Sequence, residues 1–309
     1  MKRKIILDCD PGHDDAVAIL LALSSSELEV LGITTVYGNV GLAFTSRNAR
    51  IMVELAGKDT KVFAGASRPL LRERISAEDV HGKSGLEGPK FEEPTRPLEP
   101  QHAVQFIIDS IFEHPNQVTL VPVGAFTNIA LAMRTDPKIV PLIKEIVVMG
   151  GSTTLGNTSP AAEFNILCDP HAASIVFSSG VKLTMFGLNL THQCLATPDR
   201  VARFRGLGTK VGTVTAELLE FFKLAYNKRY GFAGPALHDP CTIAYLIKPD
   251  LFTVQAMNVE VDILPGLSFG RTVCDVWDVT GKPANCDVAM TANADGFFDL
   301  LVERLGTLR

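Results

Sequence analysis

The chain has 309 residues, 46% of them hydrophobic and 20% charged, enough to bury a large core and too apolar for a disordered segment. A formal net charge of −5 and the lack of any Lys/Arg-rich stripe argue against nucleic acid as a partner and for a small molecule. No apolar run approaches the roughly 18 residues of a membrane helix, and six scattered cysteines without a Cys-x-x-Cys pair fit a reducing cytoplasm rather than a disulfide scaffold.

In chain order, Lys2-Arg3-Lys4 is followed by only Ile5-Ile6-Leu7, too short for a secretory h-region, and the run reads instead as a buried strand. It leads into Asp8-Cys9-Asp10-Pro11-Gly12-His13-Asp14-Asp15, where Pro11-Gly12 marks a turn and residues 14–23 open an apolar helix. The carboxylates therefore gather at the carboxyl end of a strand, the edge at which open α/β sheets bind ligands. Clustered carboxylates raise one another's pKa unless they share a proton or a cation. One or two would suffice to complement a helix N-terminus. Four aspartates within eight residues point to a hard divalent metal, and an all-oxygen donor set favours Ca²⁺ or Mg²⁺ over zinc. Strand alternation turns Cys9 away from its aspartate neighbours as a buried, inert thiol.

Strand-like runs recur at residues 30–35, 62–64, 118–123, 146–149 and 183–186, with helical patterns at 45–56, 102–113, 127–134 and 170–178. Asp169 and Pro170 supply an N-cap and an N1 proline for the last of these. The alternation indicates an open, mostly parallel, Rossmann-like α/β sheet with helices on both faces. Between 72 and 88, glycines and charges suit a mobile loop. After residue 197 the texture changes to longer helices at 197–204, 211–230 and 239–247, then to β-rich text at 256–263 and 270–276. With no Pro/Gly/Ser linker, the expectation is one domain, 1–309, with a helical insertion in its C-terminal third.

Familiar phosphate and metal motifs fail on single positions. Gly82-Lys83-Ser84 lacks the earlier glycine of a P-loop, where Ala77 stands, and Gly206, Gly208 and Gly212 miss the dinucleotide spacing by one. An EF-hand starting at Asp8 would have Gly12 and Ile19 at ligand positions. Asp8-x-Asp10 is similar to the haloacid-dehalogenase-like phosphatases, except that Gly12 replaces their usual Thr or Val. Polar or glycine-rich text follows successive strands at Tyr37-Gly38-Asn39, Val123-Gly124 and Met149-Gly150-Gly151, so these residues would converge on one rim. Asp239, in His238-Asp239-Pro240, reads by itself as a helix cap. Tyr226 and Tyr230, four apart on a helix, read as packing, Phe164 as core, and His13 as shaping its turn. His102, His114, His171 and His192 read as surface or structural.

Taken together, Asp8-Cys9-Asp10-Pro11-Gly12-His13-Asp14-Asp15-Ala16, Gly38-Asn39, Val80-His81-Gly82, Val147-Val148-Met149-Gly150-Gly151, Glu163-Phe164-Asn165-x-x-x-Asp169-Pro170 and His238-Asp239-Pro240 resemble the inosine-uridine preferring nucleoside hydrolases. The resemblance runs from residue 5 to about 301, and residues 270–275 with 281–285 make it nearest to the bacterial pyrimidine-preferring members. It implies a Ca²⁺ held by Asp10, Asp15, Asp239 and the Val123 carbonyl, with the ribose hydroxyls and water completing the shell. Asp239 is then a ligand rather than a cap. Asp10 doubles as general base toward a water that attacks C1′ with inversion, through an oxocarbenium-like transition state.

The same resemblance places Asp14, Asn39, Met149, Asn157, Glu163 and Asn165 around the ribose, so deoxyribosides are expected to be poor substrates. His238 falls at the proton donor to the leaving base, a role its intrinsic pKa suits. His81, Phe164, Tyr226 and Tyr230 line the base pocket. Hydrolysis of uridine or cytidine to base and ribose, in nucleoside salvage by a cytoplasmic homotetramer or homodimer, is the leading expectation. A broad purine and pyrimidine hydrolase is the alternative. A Mg²⁺-dependent phosphohydrolase and a non-catalytic Ca²⁺-dependent nucleoside-binding protein are more remote.

Overall fold

A computed structural model describes residues 2–308. Its first half alternates strands and helices: β1 (Arg3–Cys9), α1 (His13–Ser24), β2 (Leu28–Thr35), α2 (Leu42–Leu55), β3 (Val62–Ala64), α3 (Glu78–His81), α4 (Ala103–Glu113), β4 (Val118–Pro122), α5 (Thr127–Thr135) and β5 (Glu145–Met149). There follow α6 (Phe164–Cys168), α7 (Pro170–Phe177), β6 (Leu183–Phe186), α8 (Leu188–Thr191), α9 (Pro198–Arg205), α10 (Lys210–Tyr230) and α11 (Pro240–Ile247). The chain closes with β7 (Phe252–Met257), β8 (Val259–Val261), β9 (Thr272–Cys274), β10 (Cys286–Ala292) and α12 (Ala294–Leu305).

The eight-stranded sheet has the order β3-β2-β1-β4-β5-β6-β10-β7. All neighbours are parallel except the β10–β7 pair at one edge. From β1 the chain winds outward to β2 and β3, then returns to the other side of β1 to lay down β4, β5 and β6. The order reverses between β1 and β4, and that reversal opens a crevice beyond their carboxyl ends.

Central strands sandwiched between helices are apolar on both faces, and β1 shows the consequence of alternation. Ile5, Leu7 and Cys9 join the core beneath α1, α2, α11 and α12, while Ile6 joins the core beneath α4, α5 and α7. Asp8 shares the side of Ile6. Its Oδ1 accepts from Thr34 Oγ1 at 2.6 Å and from Asn128 Nδ2 at 2.7 Å, and burial raises its pKa to about 7. Asp8 therefore points into the sheet layer, and the four sequence-adjacent aspartates do not form one group. Cys9 is buried with its thiol on Thr34 O, as alternation required.

The helical insertion is α8 to α11, between β6 and β7, as the change of texture indicated. β10 and α12 were not anticipated. β10 follows a polar segment and enters the sheet between β6 and β7, and α12 carries Gly296 in its first turn, a poor helix former. A readable signal existed in Asn293, whose side chain accepts from Gly296 N, followed by Phe297, Leu301 and Leu305 at intervals of four. Residues 256–263 divide into two strands, and β8 pairs with β9 in a separate hairpin. Among the described residues no helix is long and apolar enough to cross a membrane.

Asn128 joins three strands' worth of polar groups, donating from Nδ2 to Asp8 and to Thr35 O at 3.1 Å and accepting from Ala66 N at 2.8 Å. Its replacement by Ala is expected to cost about 3 kcal/mol, because buried donors and acceptors lose their partners. Urea unfolding checks this; a midpoint equal to that of the parent would refute the role.

Candidate active site

The acid cluster is built at the crevice. Asp10 follows β1, Asp14 and Asp15 occupy the first turn of α1, and Asp239 immediately precedes α11; all four are buried. Oxygens of Asp14, Asp15 and Asp239 lie within 4.8 Å of one another. Asp15 is fixed by backbone: Oδ2 accepts from Gly12 N at 2.9 Å and Oδ1 from Asp10 N at 3.2 Å. The Asp239 side chain makes no capping bond to α11, so the cap reading fails and the carboxylate is free for the site.

Asp10 lies beside this trio rather than in it. Its Oδ2 accepts from Asn39 N at 2.6 Å, while its buried Oδ1 has no hydrogen-bond partner. Two glycines make room for it. A Cβ on Gly38 would sit 1.9 Å from Asp10 Oδ2, and one on Gly124 would sit 2.4 Å from Oδ1. Asn39 spends both amide hydrogens on the cluster, one on Asp10 O at 3.1 Å and one on Asp15 Oδ2 at 3.1 Å, leaving Oδ1 to face the cavity it lines. Asn39 thus braces the carboxylates as well as lining the cavity.

Burial raises all four carboxyl groups, and repulsion by its neighbours adds to it for Asp10, Asp14 and Asp239: Asp14 goes to about 8, Asp15 to about 6, and Asp10 and Asp239 well above the usual range. None of the groups that shift them is a Lys or Arg. Buried acids with no basic partner, an oxygen-only donor set and an orphaned Asp10 Oδ1 fit a hard divalent cation.

A cavity of about 360 Å³ opens above the cluster, within the range of small-ligand sites. One wall is polar and held by backbone. Glu163 caps α6, accepting from Asn165 N at 2.9 Å, Ile166 N at 3.2 Å and Gly151 N at 2.9 Å, and burial lifts its pKa to about 7. Asn165 donates to Val123 O at 2.8 Å and to Met149 O at 3.1 Å, so the carbonyl after β4 and the end of β5 are tied together. Asn157 reaches the cavity from the loop before α6.

Another part of the lining is aromatic. Phe222, Tyr226 and Tyr230 come from α10, with Phe164 from α6 and His81 from α3. His238 Nδ1 lies 2.7 Å from Thr191 Oγ1, and its Nε2 meets the Tyr226 hydroxyl. Burial, with a smaller contribution from His192, holds the His238 pKa well below its ordinary value. The intrinsic pKa expected to suit His238 to acid catalysis is therefore not the one it has here: the ring is neutral and linked to Tyr226. Helical spacing alone read Tyr226 and Tyr230 as packing, and Phe164 as core. Tyr226 and Phe164 are buried and Tyr230 half-buried, yet all three border the cavity.

Every residue singled out for the ribose and base positions lines this cavity: Asp14, Asn39, Met149, Asn157, Glu163, Asn165, His81, Phe164, Tyr226 and Tyr230. Val123, His238 and Asp239 line it too, while Asp10 and Asp15 lie behind. Sequence reasoning missed Phe222, Thr191 and His192. Phe222 carried a signal, four residues before Tyr226 on the same helix face; Thr191 carried none. His192, read as surface or structural, packs 5.7 Å from the rings of both Tyr230 and His238.

A carboxylate cluster at the switch point of a parallel sheet, roofed by an aromatic pocket, defines an α/β enzyme for a small polar ligand. The profile of the inosine-uridine preferring nucleoside hydrolases matches residues 5–299. Pyrimidine-specific ribonucleoside hydrolase RihB of Escherichia coli K12 is 47% identical over 302 residues, covering 98% of this chain and 96% of the relative, and its Shigella sonnei counterpart matches equally. Among solved structures, a purine-preferring ribonucleoside hydrolase from Gardnerella vaginalis superposes with a TM-score of 0.93 at 36% identity, covering 99% of both chains. A plant nucleoside hydrolase superposes with a TM-score of 0.92 at 34% identity, again over 99% of both chains. The chain belongs to the inosine-uridine preferring nucleoside hydrolase family, and is an enzyme of that kind.

Gly124→Ala tests the close approach to Asp10. A methyl group there must displace the carboxylate, and kcat/KM on a riboside is expected to fall about 100-fold with the fold intact. Unchanged kinetics, with the circular dichroism of the parent, would show that Asp10 needs no such clearance.

Proposed function

We propose that the chain hydrolyses the N-glycosidic bond of ribonucleosides, with pyrimidines such as uridine and cytidine favoured, to free base and ribose. The observation that carries this reading is the set of buried carboxylates without a basic partner, at the floor of a cavity whose two walls suit a sugar and a base. The 47% identity to pyrimidine-specific relatives supports the base preference. A broader purine and pyrimidine range is the second reading, favoured by the superposition on a purine-preferring hydrolase.

Asp15, Asp239, Asp10 and the Val123 carbonyl are the groups proposed to hold Ca²⁺, with Asp14 meeting the same point. The cation, when bound, offsets the buried charge and lowers the pKa of water in contact with it. Asp10 is the general base. Its unpaired Oδ1 takes a proton from water as the water oxygen bonds to C1′ and the bond to the base nitrogen breaks. Asp14, Asn39, Met149, Asn157, Glu163 and Asn165 orient the ribose, and the backbone anchoring of Asn39, Glu163 and Asn165 makes their share of that orientation rigid. The electron pair left on the departing nitrogen takes up a proton that comes from solvent and passes through the Tyr226–His238 pair, with His238 held by Thr191. The base packs among His81, Phe164, Phe222 and Tyr230.

The whole chain, 1–309, is proposed to act as one unit serving nucleoside salvage. Six free cysteines, five of them buried, support a reducing compartment such as the cytoplasm. A homo-oligomer, dimer or tetramer, is supported by exposed apolar side chains on and around the β8–β9 hairpin, Leu264, Leu267, Trp277 and Val279.

Reducing-sugar release from uridine, cytidine, inosine and 2′-deoxyuridine tests the reading. Release is expected from the pyrimidine ribosides, lost on chelation, restored by Ca²⁺ and weak on the deoxyriboside. Asp10→Asn is expected to bind nucleoside while losing at least about 1,000-fold in kcat. Normal turnover by that variant would remove Asp10 from the mechanism, and no release from any riboside would discard the activity.

Replacing His238 with Ala distinguishes proton delivery from binding. Purine ribosides, which depend more on protonation of the leaving base, are expected to lose more kcat than uridine. Equal losses on both would leave His238 with a binding role only.

A further inference from the structure

His13, read from the sequence as a turn residue, lies behind the cavity wall and touches His81. Its Nε2 is 2.8 Å from Glu87 O, and its Nδ1 is 2.9 Å from His81 Nδ1. A carbonyl oxygen only accepts, so Nε2 of His13 carries hydrogen. A neutral His13 then has a bare Nδ1, and the nitrogen facing it at hydrogen-bond distance must donate. His81 is therefore protonated on Nδ1 and bare on Nε2. Nε2 has no partner among the described residues, is not sealed from solvent, and belongs to a ring that lines the cavity.

The backbone N–H of His13, in the first turn of α1, also points at His81 Nδ1 at 3.2 Å, and it gives up that bond when Nδ1 is protonated. For it to donate there together with His13 Nδ1, the His13 ring would have to carry hydrogen on both nitrogens. That places a cation on a ring with no exposed surface, stacked 5.3 Å from Phe221 and Phe222 and hydrogen-bonded to no acidic side chain.

The surroundings hold this arrangement in place. A Cβ on Gly12 would come within 2.6 Å of His81 Nδ1, so the turn and the ring are in close contact. Asn48 Nδ2 bridges Pro11 O at 3.0 Å and Ser84 O at 2.7 Å, fastening the loop that presents Glu87 to the turn that presents His13.

We propose that His13 is a positioning residue that locks His81 in the Nδ1-protonated tautomer, so that Nε2 faces the nucleobase as an acceptor and selects rings whose edge offers an N–H donor. For uracil that donor is the N3–H, and for cytosine the exocyclic N4–H. This inference rests on the cavity being the nucleoside site, and it extends that reading to the base edge.

The test uses ¹⁵N-histidine-labelled enzyme and two variants, His13→Phe, which keeps a stacked ring but no acceptor, and His13→Asn, whose amide oxygen can replace Nδ1. Long-range ¹H–¹⁵N spectra of the parent, assigned with His81→Asn, are expected to show His81 Nε2 unprotonated and Nδ1 protonated. The ratio of kcat/KM for uridine over 3-methyluridine is expected to drop about 10-fold in His13→Phe, the worth of one hydrogen bond, and to recover in His13→Asn. Cleavage of p-nitrophenyl riboside, which has no base edge, stays within about 2-fold in both. A protonated Nε2 in the parent overturns the proposal, as does undiminished discrimination in His13→Phe. Should no riboside be cleaved by the parent, the hydrolase reading fails while the spectra still decide the tautomer. Should His13→Phe fail to fold, the parent spectra decide alone.

Discussion

Four carboxyl groups buried around the end of one strand, with no basic side chain among them, set the terms for everything nearby. In a low-dielectric interior such a group cannot be fully ionised without help. The fold responds with backbone rather than with counter-charges: the N–H groups of Gly12, Asp10 and Asn39 point at Asp15 and Asp10. Glycines 38 and 124 bring the neighbouring strand ends up against the Asp10 carboxylate. What the backbone leaves unmet, chiefly Asp10 Oδ1, is the part available to a cation and to water.

The two walls of the cavity are stabilised by different physics. On the wall proposed for the sugar, Glu163 and Asn165 bond to main-chain atoms after β4, at the end of β5 and in α6, so the sheet and the helix that follows it dictate where they stand. On the base side the side chains are rings that pack on one another, Phe222 on Tyr226 at 4.9 Å and Tyr226 on Tyr230 at 5.3 Å. The polar atoms there, His238, Tyr226, His81 and His13, are satisfied mainly by other side chains. A rigid polar wall beside an aromatic one is what the proposed reaction asks for, since its ribose is constant and its base varies.

Much of this was legible in the sequence where periodicity and turn chemistry agree. The strands β1 to β6 and the switch-point crevice follow from apolar runs alternating with helical patterns, and the convergence of Asp10, Asn39, Val123 and Met149 follows from their places after strands. β10 and α12 were hidden because neither has a clean hydrophobic period at its start. The difference between Asp8 and Asp10 needed the pleat: both follow the same apolar run, but one pairs with Asn128 and the other turns into the crevice. The neutral state of His238 depends on desolvation by residues distant in sequence, which no local pattern records.

Phe222, Tyr226 and Tyr230 lie four residues apart along α10, a single 21-residue helix outside the sheet that ends at Gly231 in a left-handed conformation. One helix therefore carries much of the wall proposed to meet the base, while the acid floor and the polar wall belong to the sheet and its loops. A change of tilt in that helix shifts all three rings together and leaves the carboxylates where they are. Exchanging Phe222 or Tyr230 along this one helix thus reshapes the aromatic wall while the carboxylate floor, and the Tyr226–His238 pair, stay as they are.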